Sequence, residues 1–179
     1  MPNCLVIVPV PEVEPYVARL REQFDRSAKR GLGAHITLLH APLPSGGIAP
    51  AMFAALANIS TTTAAFAYAV TQTGRFPGTL YLAVEPVGAF NVLNQRLAQT
   101  SLDTSDKPFV PHISIVRRGA AGDDEPGVER ELMQMLVRQG PVHCKCLEIV
   151  LLEDSTGMWR SVRRFALSGG TGSPSPAPS

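Results

Sequence analysis

The chain has 179 residues, 45% of them hydrophobic and 17% charged, with a formal net charge of +1. That length allows a real core, in one domain or in one domain of two similar lobes, and the composition is that of an ordinary globular protein. The near-neutral charge excludes a protein that grips long nucleic acid through its phosphates, and leaves room for a partner with one or a few phosphates. No apolar run approaches the roughly 18 residues of a membrane span. The N-terminal MPNCLVIVPVPEVEPY lacks a basic n-region and meets prolines and acids early, so it does not read as a signal peptide. Cys4, Cys144 and Cys146 are odd in number and sparse, which fits a reduced, cytoplasmic protein.

In chain order, CLVIVPV (4–10) reads as a short buried strand. PEVEPYVARLREQFDRSAKRG (11–31) follows as an amphipathic helix, with Val13, Val17, Leu20 and Phe24 on one face and Gly31 as its stop. HITLL (35–39) is the next strand, PLPSGGIAP (42–50) a loop and AMFAALANI (51–59) a weaker helix. AFAYAVTQTG (65–74) and GTLYLAVEP (78–86) are strand-like, with RFPG (75–78) as the loop between them. Phe90, Leu93 and Leu97 mark a third helix, and FVPHISIV (109–116) a strand that starts just after Pro111, where a missing N–H does least harm. Asp124 and Pro126 open a fourth helix whose face is Val128, Leu132, Met135 and Leu136. HCKCLEIVLLE (143–153) and MWRSVRRFAL (158–167) form a hairpin over the turn DSTG. The mixture is α+β. The ordered domain spans 1–167, and the small, polar, proline-rich tail SGGTGSPSPAPS (168–179) lacks the apolar surface to order itself.

Two segments repeat a pattern. GAHITLLHAP (33–42) and VPHISIVRRG (110–119) each carry a histidine, an apolar residue, a hydroxyl residue and another apolar residue. On a strand, alternation puts His35 and Thr37 on one face with Ile36 and Leu38 on the other, and His112 and Ser114 on one face with Ile113 and Ile115 on the other. Two such lobes facing each other would converge two imidazoles and two hydroxyls on one cleft. Splitting a phosphodiester needs a base for the attacking oxygen and an acid for the leaving oxygen, and histidine serves both near neutral pH. Thr37 and Ser114 can donate to the non-bridging oxygens, and Arg117 or Arg118 can add a cation there, with no metal required.

Other residues have plainer readings beside sharper ones. By parity His40 points away from His35 and reads as a loop or rim residue. Phe76 and Tyr81 are either core aromatics or a surface that stacks a base. His143, Cys144 and Cys146 lack a second ligand pair at zinc spacing, and the two cysteines fall on one face of a strand, which suits packing. Arg160, Arg163 and Arg164 either guard an edge strand or lead a phosphate to the cleft.

The two tetrads, with RFPGTLYLAVEP (75–86) between them and Arg117 after the second, resemble the two-histidine (2H) phosphoesterases, which include the bacterial 2′,5′ RNA ligase-like proteins and cyclic nucleotide phosphodiesterases. The likeness covers about residues 3–167. It implies a bilobal α+β fold in which two antiparallel sheets, flanked by helices, surround a central cleft with one motif per lobe. It also implies activity on 2′,3′-cyclic phosphates or 2′,5′-linked nucleotides and RNA ends, without a metal; a monomer without a cofactor is expected. His35 and His112 would be acid and base in an order left open, with Thr37, Ser114 and Arg117 on the phosphate. A binder of RNA ends that does not turn over, and a 2′,5′ RNA ligase working through a cyclic phosphate, are the alternatives. Ser114 departs from the usual threonine; it keeps the donor but loses the rotamer restraint of a β-branched side chain.

Overall fold

The computed structural model describes residues 3–42, 47–100, 108–153 and 155–169. Their elements run β1 (Asn3–Pro9), α1 (Glu14–Phe24), β2 (His35–Pro42), α2 (Pro50–Thr61), β3 (Phe66–Phe76), β4 (Thr79–Glu85), α3 (Gly88–Ala98), β5 (His112–Arg117), α4 (Glu125–Leu136), β6 (Val142–Cys144), β7 (Cys146–Leu152) and β8 (Trp159–Ala166). They form two four-stranded sheets in the orders β2-β1-β7-β8 and β5-β4-β3-β6, with antiparallel neighbours throughout. The α+β, two-sheet reading therefore holds, with each tetrad on an edge strand.

Two of the helices exchange partners between the sheets. α1 follows β1 but packs on β5 of the second sheet, beside α4 on β3; α3 follows β4 but packs on β2 of the first sheet, while α2 covers β7 and β8. α1 and α3 therefore tie the two lobes together. β2 and β5 themselves pack together, which brings the tetrads to the junction of the sheets. One core cluster runs through both lobes and includes Val17, Leu20, Ile36, Leu38, Phe90, Leu93, Ile113, Ile115 and Leu132. A small satellite of Leu5, Ile7, Leu32 and Val150, with Trp159 against it, lies on the opposite face of the first sheet.

Several boundaries differ from the sequence reading. The helix expected over 11–31 stops at Phe24, because Asp25 turns extended and its carboxylate accepts from the Ser27 N–H at 2.9 Å, an Asx turn that competes with helix. A 3-10 turn, Ala28–Arg30, follows and ends at Gly31. β3 continues to Phe76, so the loop shrinks to Pro77 and Gly78, whose φ of 71° suits glycine. Asp124 stands at the cap position of α4 without a side-chain capping bond, since a 3-10 turn, Gly122–Asp124, already leads in.

The run 143–153 is not one strand. It changes sheets at Lys145, with β6 paired to β3 and β7 to β1. Cys144 and Cys146 therefore sit on different strands, and alternation does not relate them; both thiols are free, with Cys144 fully buried. The hairpin β7–β8 is present, although Asp154 of its turn lies outside the described residues, as do loop residues 43–46 and tail residues 170–179. Ser168, the expected first residue of the tail, donates its N–H to Thr63 O at 2.9 Å. Arg160 and Arg164 pair with Glu153 (2.5 Å) and Glu148 (2.9 Å), and Arg163 lies over the rings of Phe53 and Phe165. Among the described residues no helix is long and apolar enough to cross a membrane.

Candidate active site

The two tetrads share a backbone irregularity. Directly opposed residues on neighbouring strands share a face. In the first sheet His35 opposes Pro9, Thr37 opposes Ile7, and Leu39 then opposes Val6, so Leu38 is an extra residue. In the second sheet His112 opposes Ala83, Ser114 opposes Tyr81, and Val116 then opposes Leu80, so Ile115 is extra. Each strand has a β-bulge at the fourth residue of its tetrad. The bulge lets two consecutive residues stay buried, Leu38 with Leu39 and Ile115 with Val116. It also flips the parity of the residues beyond it. Arg117, which plain alternation would turn away from His112, shares the face of His112 and Ser114, and its Nη2 donates to Ser114 Oγ at 3.2 Å.

The same shift corrects the reading of His40. It opposes Leu5, on the face of Ile7 and Thr37. His40 is therefore an exposed third histidine on the face of His35, at the position in the first tetrad strand that Arg117 occupies in the second. The opposite lobe caps each irregular strand: Asn94 of α3 donates to Leu38 O at 2.8 Å, and Arg21 of α1 donates to Ser114 O at 3.3 Å.

The histidines are held alike. His35 Nδ1 lies 2.7 Å from Gly33 O, and His112 Nδ1 lies 2.7 Å from Val110 O. A carbonyl only accepts, so Nδ1 carries the proton and Nε2 of the neutral ring is left as an acceptor. Burial pushes the His35 pKa down to about 4; the Gly33 bond and Asp25 oppose this, while Arg21 and Arg117 add to it. His112 is also lowered, chiefly by burial and further by Arg117. The Arg117 cation thus bears on both imidazoles, and both are held neutral.

One consequence is acid lability. The unfolded chain protonates His35 near pH 6.5 and the folded one only near 4, so the unfolded state binds more protons between these values and stability falls as pH falls through that window. The full loss is about 3 kcal/mol. Urea unfolding at pH 7 and at pH 4.5 should show a larger drop for the wild type than for His35→Gln; equal drops would contradict the buried, neutral ring.

Sequence reasoning missed the groups beneath the pair. Arg21 and Asp25 are 1% and 0% exposed and pair at 2.9 Å. Arg21 also donates to Leu32 O at 3.0 Å and reaches Glu14 at 3.5 Å, while the Glu14 carboxylate accepts the Ala34 N–H. Asp25 Oδ1 stands 3.8 Å from Arg117 Nε. This network fixes the segment before His35 against the strand of His112. Its signal was present in the sequence: Arg21 interrupts the apolar face formed by Val17, Leu20 and Phe24, where only a satisfied charge survives burial.

Phe76 and Tyr81 wall the other side. Their rings stack at 4.4 Å, and each lies 5.1 Å from the His112 ring. Tyr81 fits because residue 74 has no side chain; a Cβ there would stand 2.5 Å from the Tyr81 hydroxyl. Gly74→Ala should cost about 1–3 kcal/mol and displace the ring that supports His112. Thermal melts and the His112 imidazole NMR signals would check this, and an unmoved His112 signal would count against the support role.

The family model for the 2'-5' RNA ligase superfamily matches residues 9–157, most of the chain and both tetrads. The chain belongs to this superfamily of two-histidine phosphoesterases. Solved structures agree on the fold of this superfamily member. TT0787 of Thermus thermophilus is similar with a TM-score of 0.66 at 20% identity, covering 93% of this chain and 98% of its own. Escherichia coli LigT complexed with NADP+ gives 0.65 at 17%, covering 94% and 99%. LigT complexed with 3'-AMP gives 0.61 at 16%, again covering 94% and 99%. No curated protein matches in sequence.

Proposed function

We propose that this superfamily member is a metal-independent phosphodiesterase that opens 2′,3′-cyclic phosphates or cleaves 2′,5′-linked nucleotides and RNA ends. The observation that carries this reading is the matched pair of histidines, each with Nδ1 tied to the carbonyl two residues before it and Nε2 left to act. One neutral imidazole takes the proton of the attacking water. The other must be protonated to serve the leaving ribose oxygen. A phosphate anion in the cleft supplies the charge that raises one depressed imidazole pKa, so substrate binding itself loads the acid.

Thr37 and Ser114 donate to the non-bridging oxygens. Ser114 is suited to this because its oxygen already accepts from Arg117, which leaves its proton for the phosphate. Arg117 adds the cation. Phe76, 36% exposed, offers a face for stacking a base on the His112 side. The substrates in this reading are small nucleotides, in keeping with LigT structures that hold 3'-AMP, NADP+ and ATP. The protein acts as a cytoplasmic monomer without a cofactor. Ligation is the same chemistry run backwards, and the family description favours keeping it as a second reading.

The test is hydrolysis of 2′,3′-cyclic nucleotides in excess chelator, with the product isomers resolved by phosphorus NMR. Turnover should be unchanged by the chelator, and a single isomer, the 2′-phosphate, should form, because only the ester oxygen beside the acid can leave. Activity lost in chelator and restored by a divalent ion would overturn the metal-independent mechanism. A mixture of isomers would mean that the acid and base exchange roles.

A further inference from the structure

At its far end from β6, β3 is clipped to α4. Arg75 Nη2 donates to Glu129 Oε2 at 2.6 Å and its Nη1 donates to Glu125, while the Thr73 hydroxyl donates to Glu129 Oε1 at 2.8 Å. Thr73 and Arg75 oppose Leu82 and Leu80, both buried, so they share the core face of the sheet. Phe76, the next residue, points to the other face, where it stacks on Tyr81 and meets the His112 ring with planes 80° apart. We propose that Arg75 is a positioning residue for His112: held by Glu125 and Glu129, it fixes the end of β3 so that Phe76 keeps the imidazole in its working orientation.

Position supports the assignment. β6 pairs only with Phe66, Ala67 and Tyr68, so beyond Tyr68 β3 has β4 on one edge and no strand on the other among the described residues. The clip to α4 therefore holds a strand end that the sheet secures on one side. The Gly119 N–H donates to Gly78 O at 2.8 Å and fastens the turn after Phe76; Arg75 fastens the residue before it. His112 depends on such a wall more than His35 does. His35 is 5% exposed, whereas His112 is only half-buried. One hydrogen bond, Nδ1 to Val110 O, ties the His112 ring, and the aromatic pair beside it sets the tilt.

Chemistry supports it as well. Glu125 and Glu129 stand one turn apart on α4, where like charges repel. A cation between them turns that repulsion into a two-point grip, and the guanidinium fork can serve two carboxylates at once. The Thr73 hydroxyl and the Arg75 guanidinium hold the Glu129 carboxyl below the usual carboxylate range, so it stays ionised at neutral pH. Both ion pairs are partly exposed, and exposed pairs contribute little to stability. Their effect is therefore expected on geometry rather than on melting.

The effect on turnover rests on the phosphoesterase reading; the effect on His112 does not. In the full chain, Arg75→Gln should shift or broaden the His112 imidazole NMR signals while the melting temperature changes little. It should lower kcat on a 2′,3′-cyclic nucleotide by about 10-fold, since a small misplacement of a reacting group costs up to roughly 10²-fold, and leave KM nearly unchanged. Glu129→Gln keeps a partner for Thr73, loses the charge and should act in the same direction. Arg75→Lys, which keeps the cation, should recover part of kcat. Glu131→Gln is the control: it breaks another exposed pair of α4, that with Arg19 of α1 at 2.5 Å, and should leave His112 and kcat as they are. His112 signals unmoved in both Arg75→Gln and Glu129→Gln would overturn the inference. So would the same displacement in Glu131→Gln, or an unchanged kcat in an active protein. Displaced His112 signals in a protein without such turnover would uphold the positioning and remove the catalytic reading instead.

Discussion

Replacing His35 or His112 with alanine should each lower turnover of a 2′,3′-cyclic nucleotide by about 10²–10⁴-fold, the usual worth of a positioned acid or base. Both rings are fastened through Nδ1, which leaves Nε2 as the acceptor, so on the proposed mechanism neither variant keeps a substitute for the lost proton transfer. The double variant should lose far less than the product of the two single losses, because acid and base act as one unit. The loss should fall on kcat more than on KM, since in the proposed mechanism Thr37, Ser114 and Arg117 remain to bind the phosphate. The wild-type rate should be bell-shaped in pH. Its acid limb reflects protonation of the histidine that must stay neutral, and its alkaline limb reflects loss of the proton from the other. Steady-state kinetics across pH, with circular dichroism to confirm folding, would check this. Near-normal activity in either single variant would end the two-histidine mechanism for this chain.

The second large effect is on stability. Arg21→Met should cost about 3–5 kcal/mol, because it strands the Asp25 carboxylate, 0% exposed, without its nearest cation. The Leu32 and Ser114 carbonyls lose a donor in the same step. For a chain of this size the melting temperature should drop by on the order of 10 °C. The double variant Arg21→Met with Asp25→Leu should recover much of that loss, since a buried ion pair replaced whole by apolar groups is often near neutral. Recovered stability without recovered turnover would identify the pair as a positioning device that joins the His35 segment to the strand of His112. A single variant as stable as the wild type would show that the pair is not held as described.

The elements and the pattern of the site were legible along the chain alone. Periods of two and of about 3.6 residues are local properties, so the strands and the central turns of the helices could be read from them. The burial of Ile36, Leu38, Ile113 and Ile115 behind the two histidines followed from alternation. Boundaries were less legible, as at Asp25, where one side-chain hydrogen bond ends a helix that periodicity would continue.

Features that depend on a partner strand or a distant helix came only with folding. A bulge is a property of two strands, and nothing within HITLLH or HISIVR announces that the fourth residue is unpaired. That one residue turns His40 and Arg117 to the cleft side. The break at Lys145 depends in the same way on two sheets competing for one run of apolar residues. Arg21 and Ser114 are 93 residues apart, and Trp159 meets Ile7 and Val150 only because β8 returns to the first sheet. Side-chain chemistry is written along the chain, whereas the distances that turn it into a site are set by register and packing between segments far apart in sequence.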